Sequence, residues 1–439
     1  MVPVKRKPIF RVETMARILI RSLAVLAILA GCARSGPLPD ENKTVHYYQF
    51  SLPRDREAFD RLRTWFHEEH PEVNLQIHTL PTSSDDQHQF YLTHLGSRSL
   101  SRIDVFALDV IWLAEFARAG FLMPLDDLFP EREWEEFFPA PVQAATYDRH
   151  RYAAPLFVDA GVLYSRKDLL LKHGFAHPPK TWEELVKASR VILEREEDPS
   201  LNGFVWQGKQ YEGLVCNLIE FLPSRNPFLT VAESPRLEVD RVRRALGFMR
   251  DLVVRFGVSP PSVFSMSEEE SRQVFQNGRA VFMRNWPYAW RLAQQEGSPV
   301  KDRVWLSPLP AFAGDASGGK GALGGFLLGI HPESPAREEA RAWVRFLASP
   351  RAQRVLWQDL GLTPARRTVF PDLPSRGIPL DVLRQVMESA VPRPASPLYI
   401  PISQSVQAYG SGALAGVYPI DRAIRHIESD MGRIMRVMH

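Results

Sequence analysis

Carboxylates and aromatic rings near the ends of apolar segments are the residues of this chain best suited to chemistry. Asp109 ends the segment DVFALD at 104–109, and Asp159 lies between two apolar runs. Aromatic side chains recur near turn positions, at Trp112, Phe157, Trp206, Trp286, Tyr288, Phe326 and Tyr399. Sugars offer apolar C–H faces that stack on aromatic rings, and hydroxyl edges that bond to carboxylate and guanidinium groups. The combination favours a carbohydrate-binding cleft, although each aromatic taken alone is more typical of a core residue.

The same carboxylates leave an enzymatic alternative open. Asp109 and Asp159 would suit a glycosidase if they flanked a glycosidic bond at the right separation, which a sequence does not give. The chain contains no G-x-S-x-G, H-E-x-x-H or G-x-x-x-x-G-K-[ST] motif, so serine-hydrolase, zinc-protease and phosphate-loop chemistry have no signature. We therefore predict no catalytic residue and no cofactor.

Histidine and cysteine side chains give only weak signals for a metal or a nucleophile. His67 and His70 lie three residues apart in a charged stretch. That spacing fits a pair of metal ligands or a solvated polar helix face, and we favour the polar face. Cys216 lies in the apolar stretch 214–216, which predicts a buried, unreactive thiol. No metal site is predicted.

Residues 1–31 have the pattern of a lipoprotein signal peptide. The basic side chains Lys5, Arg6, Lys7, Arg11, Arg17 and Arg21 precede an apolar run at 23–30. That run is too short to span a bilayer, which needs about 20 residues. LAGC at 29–32 resembles the bacterial lipobox, which implies lipidation of Cys32; the alternative is an ordinary signal peptide with a chance cysteine. Residues 32–44 are rich in Pro, Gly, Ser and charge, and are predicted to form a flexible tether.

The net charge depends on that segment. The full chain has 54 Lys and Arg against 51 Asp and Glu, a formal charge of +3, and residues 1–31 hold six of the basic groups and one acid. Without them 48 basic and 50 acidic groups remain, and this charge of −2 excludes the basic excess of a nucleic-acid binder. The 45% hydrophobic and 24% charged residues are typical of a folded globular protein. No later segment reaches the roughly 18 apolar residues of a membrane-spanning helix.

Alternating strand and helix patterns predict an α/β fold. Strands are expected at residues 45–50, 73–78 and 103–108, and helices at 55–70, 87–97 and 110–119. This order predicts a mostly parallel sheet covered by helices. Further strands are expected within 151–164, at 280–283 and at 323–330, and further helices at 240–256, 335–348, 350–358 and 377–390. Thr181 and Glu184 form a capping box that predicts a helix start.

Seven sequence motifs follow one another along residues 45–438. They are DVFALD at 104–109 with GFLMPLD at 120–126, RYAAP at 151–155, DAGVLYSRKDLL at 159–170, PKTWEEL at 179–185, QNGRAVF at 276–282, LGGF at 323–326 and ASPRAQ at 348–353. Together they resemble bacterial extracellular solute-binding proteins of family 1, which feed ABC importers. The resemblance implies an α/β, two-lobed, periplasmic-binding-protein-like fold of type II, with a ligand cleft between lobes joined by crossing strands.

Two further stretches, FVWQGKQYEGL at 204–214 and RPASPLY at 393–399, are similar to trehalose- and maltose-binding lipoproteins of that family. The similarity implies that Asp109 and Asp159 bind sugar hydroxyls and that Trp286 stacks on a sugar ring. It also implies a backbone contact from Gly325 and bridging of hydroxyls by Arg393. Each has a plain structural alternative: a helix cap, a turn, a core ring, close packing or a surface ion pair.

Four further residues complete the predicted site. Phe157 stands where relatives often have Tyr, which removes one hydroxyl contact, and Phe326 stands where relatives often have Trp. Glu220 and Asn217, on the predicted helix around Cys216, are weaker candidates for ligand contact. These departures leave the identity of the sugar open.

The resemblance also implies a domain division and a function. The N-terminal lobe would comprise residues 45–156 and 288–345, and the C-terminal lobe residues 157–287 and 346–439. The protein is expected to be an exported, lipid-anchored monomer at the cell envelope that captures a disaccharide or small oligosaccharide by hinge closure. It would deliver this sugar to the permease subunits of an ABC importer. Three alternatives stay open: another solute such as a different oligosaccharide or a glycerol phosphodiester, a secreted glycosidase, and a structural surface lipoprotein.

Overall fold

The computed structural model describes residues 43–51, 55–97, 102–222, 229–230, 236–316, 318–375 and 377–437. The predicted signal peptide, the lipidation site Cys32 and almost all of the tether lie outside these residues. The strands are β1 (Thr44–Gln49), β2 (Asn74–Thr79), β3 (Val105–Asp109), β4 (Thr146–Tyr147), β5 (His150–Arg151), β6 (Ala153–Ala160), β7 (Val162–Arg166), β8 (Asn202–Val205), β9 (Leu229–Thr230), β10 (Arg236–Leu237), β11 (Ala280–Asn285), β12 (Val304–Pro308) and β13 (Leu323–Ile330).

The first sheet has five strands in the order β2-β1-β3-β13-β6. β1 pairs in parallel with both β2 and β3, as the alternation of strands and helices predicts. Every residue of β3 is buried, which explains its continuous apolar sequence. β13 comes from much later in the chain and runs antiparallel to both β3 and β6. The predicted α/β class is therefore confirmed, with one antiparallel insertion.

The second sheet has four strands in the order β12-β7-β11-β8. β7 is antiparallel to both of its neighbours, whereas β11 and β8 are parallel. β6 of the first sheet and β7 of the second are separated only by Gly161, so the chain passes between sheets at this residue.

The sheets correct the lobe boundaries that the sequence suggests. β12 falls inside the segment 288–345 expected in the N-terminal lobe, yet it pairs along its whole length with β7 of the second sheet. Its buried residues Val304 and Leu306 belong to the core there. β6 stays in the first sheet as far as Ala160, beyond the expected end at 156. The rest of the lobe division stays a prediction.

Helices cover both sheets. They are α1 (Asp55–Glu69), α2 (Ser84–Leu95), α3 (Leu113–Arg118), α4 (Glu131–Trp134), α5 (Pro139–Ala144), α6 (Lys167–Lys172), α7 (Trp182–Glu196), α8 (Glu212–Glu220), α9 (Val239–Val254), α10 (Glu268–Gln276), α11 (Tyr288–Ala293), α12 (Arg337–Leu347), α13 (Pro350–Val355), α14 (Leu380–Ser389), α15 (Tyr399–Leu414) and α16 (Ile420–Val437). The predicted start of α7 is confirmed, because Thr181 accepts a hydrogen bond from the N–H of Glu184 at 3.1 Å. Across the described part of the chain, none of these helices has the length and apolarity to cross a membrane.

Three chain segments meet where the two sheets adjoin. They are the link at Gly161, the start of β13, and the stretch around Val391, which forms a parallel bridge with Ala322. A Cβ atom on Gly321 would lie 2.4 Å from the nitrogen of Gly161. A Cβ on Gly161 would lie 2.0 Å from the carboxylate of Glu220. Because these segments pack closely where the two sheets adjoin, their side chains can contact residues of both sheets.

Candidate ligand-binding cleft

A buried arginine joins carboxylates that come from distant parts of the chain. Arg393 donates to Asp109 at 2.7 Å through Nη2, to Glu212 at 3.0 Å through Nη1, and to the carbonyl of Leu323 at 3.2 Å through Nε. Asp109 ends β3 in the first sheet, whereas Glu212 begins α8 beside the second. The carboxyl end of a strand is where open α/β sheets bind ligands. The structure thus brings together Asp109 and Arg393, two of the predicted site residues.

Asp109 keeps one carboxylate oxygen for another partner. Its Oδ1 accepts from the N–H of Ile111 at 3.2 Å and from Arg393. Its Oδ2 accepts no hydrogen bond from the residues that the structure describes. Burial raises the pKa of this carboxyl, and the positive charge of Arg393 opposes that rise. A hydroxyl donor from a ligand would satisfy the second oxygen.

Asp159 lies on β6 and is buried with few partners. Its Oδ1 accepts a hydrogen bond from the hydroxyl of Thr363 at 3.2 Å, and its Oδ2 accepts none within the described ranges. Burial raises its pKa to about 8. Because no cation among the described residues contacts this carboxyl directly, its protonated form is favoured, as expected for a buried carboxyl.

Replacing Asp159 by asparagine should change how stability depends on pH. The unfolded carboxyl ionises near pH 4 and the folded one near pH 8, so the folded state holds an extra proton between these values. The stability that Asp159 contributes is complete below the lower value and is lost as the pH rises through the higher one. We expect Asp159→Asn to gain free energy of unfolding relative to the wild type between pH 5 and pH 8.5, measured by urea unfolding.

Asp381→Asn is the control for that measurement, because the Asp381 side chain is 98% exposed. This variant should show no pH-dependent difference from the wild type. If the difference in free energy of unfolding between Asp159→Asn and the wild type stayed constant across the pH range, Asp159 would not have a raised pKa in the folded protein.

Aromatic rings lie next to the carboxylates of Asp109 and Asp159. Phe157 and Phe326 stack at 5.5 Å between ring centroids and 17° between planes, and Phe50 and Trp112 contact Phe326 from other sides. In β13, Phe326 pairs with Asp109 of β3 and with Phe157 of β6. The register of β13 therefore places both predicted phenylalanines beside the first carboxylate.

Gly325 allows this register. Its φ of +114° is one that L side chains rarely adopt, and a Cβ atom there would lie 2.4 Å from the carbonyl oxygen of Phe157. Only glycine permits β13 to approach β6 so closely at a bulge. A packing role of Gly325 is therefore present in the structure, beside its predicted backbone contact with ligand.

Trp286 directly follows β11 and is half-buried. Its indole N–H donates to Glu268 at 3.1 Å, and the guanidinium of Arg284 lies 4.1 Å from the ring centroid. A Cβ on Gly324 would lie 3.0 Å from the ring, so the absence of a side chain at Gly324 leaves room for the indole. Gly324 pairs with Asp159 across β13 and β6, so the ring lies close to the second carboxylate.

Glu220 and Asn217, the weaker candidates, both bond to other residues of the protein. Both carboxylate oxygens of Glu220 accept from Arg284, one of them at 2.7 Å, and Oε1 also accepts from the N–H of Ala322 at 3.0 Å. Asn217 donates to Gln207 and to the carbonyl of Gly213, while its Oδ1 accepts no hydrogen bond from the described residues and the whole residue is 0% exposed. Ligand contact by these two residues therefore stays a prediction without geometric support.

Cys216, on the same helix, is buried, and burial raises the pKa of its thiol. The prediction of a buried, unreactive thiol agrees with this environment. Within the described ranges no group of three or more His, Cys, Asp or Glu side chains is placed to hold a metal ion.

Sequence reasoning missed Glu212 as a part of this site. Its carboxylate accepts from Arg393, from the hydroxyl of Tyr399 at 2.6 Å and from Ser403. The available signal was a single acid at the start of the apolar stretch 212–222, since a buried acid needs a partner. The partner lies 181 positions away, and no local pattern reveals it.

The two sheets with their helices and the three crossing segments define a two-lobed α/β solute-binding protein. The solved structures of similar shape are solute- and sugar-binding proteins of the same type II architecture. The chain belongs to the bacterial extracellular solute-binding protein family, whose model matches residues 53–354. The predicted family and fold class are confirmed.

Relatives of this chain include binding proteins of ABC transporters. A probable ABC transporter-binding protein from Deinococcus radiodurans is 34% identical over 366 residues, which are 81% of this chain and 85% of that protein. A maltotriose-binding protein from Pyrococcus abyssi is 24% identical over 303 residues, 67% of this chain and 62% of that protein. Among solved structures, maltose-bound MalE3 of T. maritima is 36% identical with a TM-score of 0.82, over 89% of this chain and 99% of that one.

Proposed function

We propose that this protein is the substrate-binding component of an ABC importer and that it captures a disaccharide or small oligosaccharide of the trehalose or maltose type. The observation that carries the proposal is the pair of buried carboxylates, Asp109 and Asp159, each with one oxygen unused by the described residues and both close to aromatic rings. A sugar hydroxyl can donate to Asp109 and can accept from the protonated Asp159, and the ring of Trp286 supplies the apolar face. The similarity to maltose-bound MalE3 supports the same class of ligand.

The charge of the cleft favours a neutral ligand. Asp109 and Glu212 share the single charge of Arg393, while Glu220 and Arg284 neutralise each other. An anionic ligand such as a glycerol phosphodiester would bring a further negative charge among these carboxylates, which is unfavourable. Hydroxyl groups donate hydrogen bonds without that cost.

A pocket beside the residue that follows Trp286 gives room for a longer ligand. It has a volume of about 450 Å³, and its lining includes Pro287 together with Trp290, Arg61, Asp359 and Gln294. The first turns of α1 form one wall, and α11 and the segment after it form another. Aromatic and polar side chains in one pocket suit a further sugar ring, which fits an oligosaccharide as well as a disaccharide.

Capture would proceed by rotation of the lobes about the three crossing segments, as a population shift towards a closed form. Only Gly161 separates β6 from β7, so the hinge segment between these strands is a single residue. The closed form would then dock on the permease subunits. Lipidation of Cys32 and the tether of residues 32–44 would hold this exported, monomeric protein at the cell envelope.

A calorimetric panel with the purified chain from residue 33 onward tests the proposal. Trehalose, maltose, maltotriose and sucrose are titrated at pH 7, with glycerophosphoglycerol, a glycerol phosphodiester with one net negative charge, as the anionic comparison. We expect saturable binding of at least one neutral sugar, loss of that binding in Asp109→Asn, and no binding of the phosphodiester. If none of the sugars binds, the carbohydrate proposal is wrong, and release of a smaller sugar during incubation would point to a glycosidase.

A further inference from the structure

We propose that Glu212 is a positioning residue for ligand binding, which acts by aiming the guanidinium of Arg393 at the cleft. The inference rests on the proposed function, because it assumes that a sugar binds beside Asp109 and Arg393. It concerns a residue that lies behind the arginine and does not itself face the ligand. Three donors hold its carboxylate: Arg393, Tyr399 and Ser403.

The Glu212 carboxylate is fully occupied and almost fully buried. Its Oε1 accepts from Arg393 at 3.0 Å and from Tyr399 at 2.6 Å, and its Oε2 accepts from Ser403. Glu212 is 5% exposed, Tyr399 0% and Ser403 1%. Ser403 in turn accepts from Gln407 at 3.1 Å. A buried carboxylate with this many donors has one well-defined orientation, and so does the arginine bonded to it.

Helix α15 builds one side of this arrangement. Tyr399 is its first residue and Ser403 lies four positions later, so the two hydroxyls share one face of the helix. The chain from Arg393 to Tyr399 is short and contains Pro394 and Pro397, which restrict its backbone. The hydrogen bond between Tyr399 and Glu212 therefore also restricts the backbone position of Arg393.

The arginine has two carboxylate partners, one of which is tied to the chain segment that follows it. Asp109 is on β3 of the first sheet, whereas Glu212 is also bonded to Tyr399 and Ser403 of the helix after Arg393. The Arg393 side chain is only 3% exposed, and a guanidinium without a counter-charge in that environment is costly. Glu212 supplies a counter-charge that stays with the arginine.

The guanidinium retains donors for a ligand. Its three described acceptors are Asp109, Glu212 and the Leu323 carbonyl, and a guanidinium has five N–H groups. Two N–H groups are thus left to bridge sugar hydroxyls near Asp109. Their direction is set by the bonds to Glu212 and Leu323, which makes Glu212 responsible for the geometry of the site.

A double-mutant cycle on sugar affinity tests the inference. Glu212→Gln keeps the shape of the side chain and removes its charge, and we expect it to weaken binding of the sugar identified in the calorimetric panel by about tenfold, the typical loss for a charge-assisted hydrogen bond. In a protein that already carries Arg393→Met, the same substitution should cause no further loss, because the side chain through which Glu212 acts is gone. In the protein that keeps Arg393, Tyr399→Phe should weaken sugar binding less than Glu212→Gln does.

The control is Glu136→Gln, which removes a carboxylate from another buried arginine, Arg366, and is not among the predicted site residues. It should leave the affinity unchanged, and circular dichroism should show that every variant is folded. Wild-type affinity in Glu212→Gln, or an equal loss with and without Arg393, would overturn the positioning role. Absence of sugar binding by the wild type would instead overturn the proposed function.

Discussion

Replacing Trp286 by alanine should weaken sugar binding by roughly 30-fold or more, the effect of losing a central tryptophan in a binding site. The ring is half-buried, is fixed by Glu268 and by the guanidinium of Arg284, and lies over Gly324 beside the Asp159 strand. An indole held in this way needs little further ordering when a sugar stacks on it. The fold should survive, because the ring is not fully enclosed by the core.

Titration calorimetry of Trp286→Ala, Trp286→Phe and Trp65→Ala separates stacking from stability. Phenylalanine keeps an aromatic face and should restore part of the affinity. Trp65 is also half-buried and lies 4.0 Å from the guanidinium of Arg351, so it matches Trp286 in environment, but it is neither a predicted site residue nor part of the pocket lining. Trp65→Ala should bind sugar as the wild type does. Unchanged affinity in Trp286→Ala would remove this residue from the site.

The elements that local pattern predicts are those whose side chains repeat at a fixed spacing. The strands at 44–49, 74–79 and 105–109 lie within two residues of their predicted positions, because each carries an apolar run or an alternation bounded by polar residues. Parallel pairing of these strands also follows from the helices between them. The positions of these strands can therefore be predicted from a few neighbouring residues.

Pairings between distant segments have no local signal. β13 inserts antiparallel between β3 and β6, and β12 joins the second sheet although it was expected in the first lobe. Helix α15 carries Pro401, Gly410 and Gly412, which weaken a helix pattern. Its length comes from packing against α8 and α16, which the sequence does not display.

The candidate site divides in the same way. Asp109, Asp159 and Trp286 stand out in the sequence by residue type and position, whereas the resemblance to the family supplied their binding roles and added Arg393. Burial and pairing decided the rest: Glu212 has its partner 181 positions away, and the partner of Glu220 lies 64 positions away. An acidic residue in an apolar stretch predicts a buried carboxylate with a hydrogen-bond partner, but only the folded structure identifies that partner.

Removing the carboxylate of Glu220 should cost about 3–5 kcal/mol of unfolding free energy, the usual effect of leaving one member of a buried ion pair alone. The Arg284 and Glu220 side chains are each 1% exposed and form two hydrogen bonds, one of 2.7 Å. Glu220 also accepts from the N–H of Ala322 at the start of β13, and its carboxylate fills the space beside Gly161. Glu220→Ala would therefore leave a buried guanidinium without a counter-charge, with only Gln207 as a side-chain acceptor, and the backbone N–H of Ala322 without its acceptor.

Urea unfolding of Glu220→Ala, Arg284→Met and the double variant measures this effect. The double variant should lose less than the sum of the single variants, because it leaves no unpaired charge in the core. Glu296→Gln removes the exposed ion pair with Lys301, whose glutamate is 92% exposed, and should change stability by no more than about 0.5 kcal/mol. If Glu220→Ala were as stable as that control, the carboxylate would not be holding the crossing segments together. Glu220 would then be free for the ligand-binding role that its sequence position first suggested.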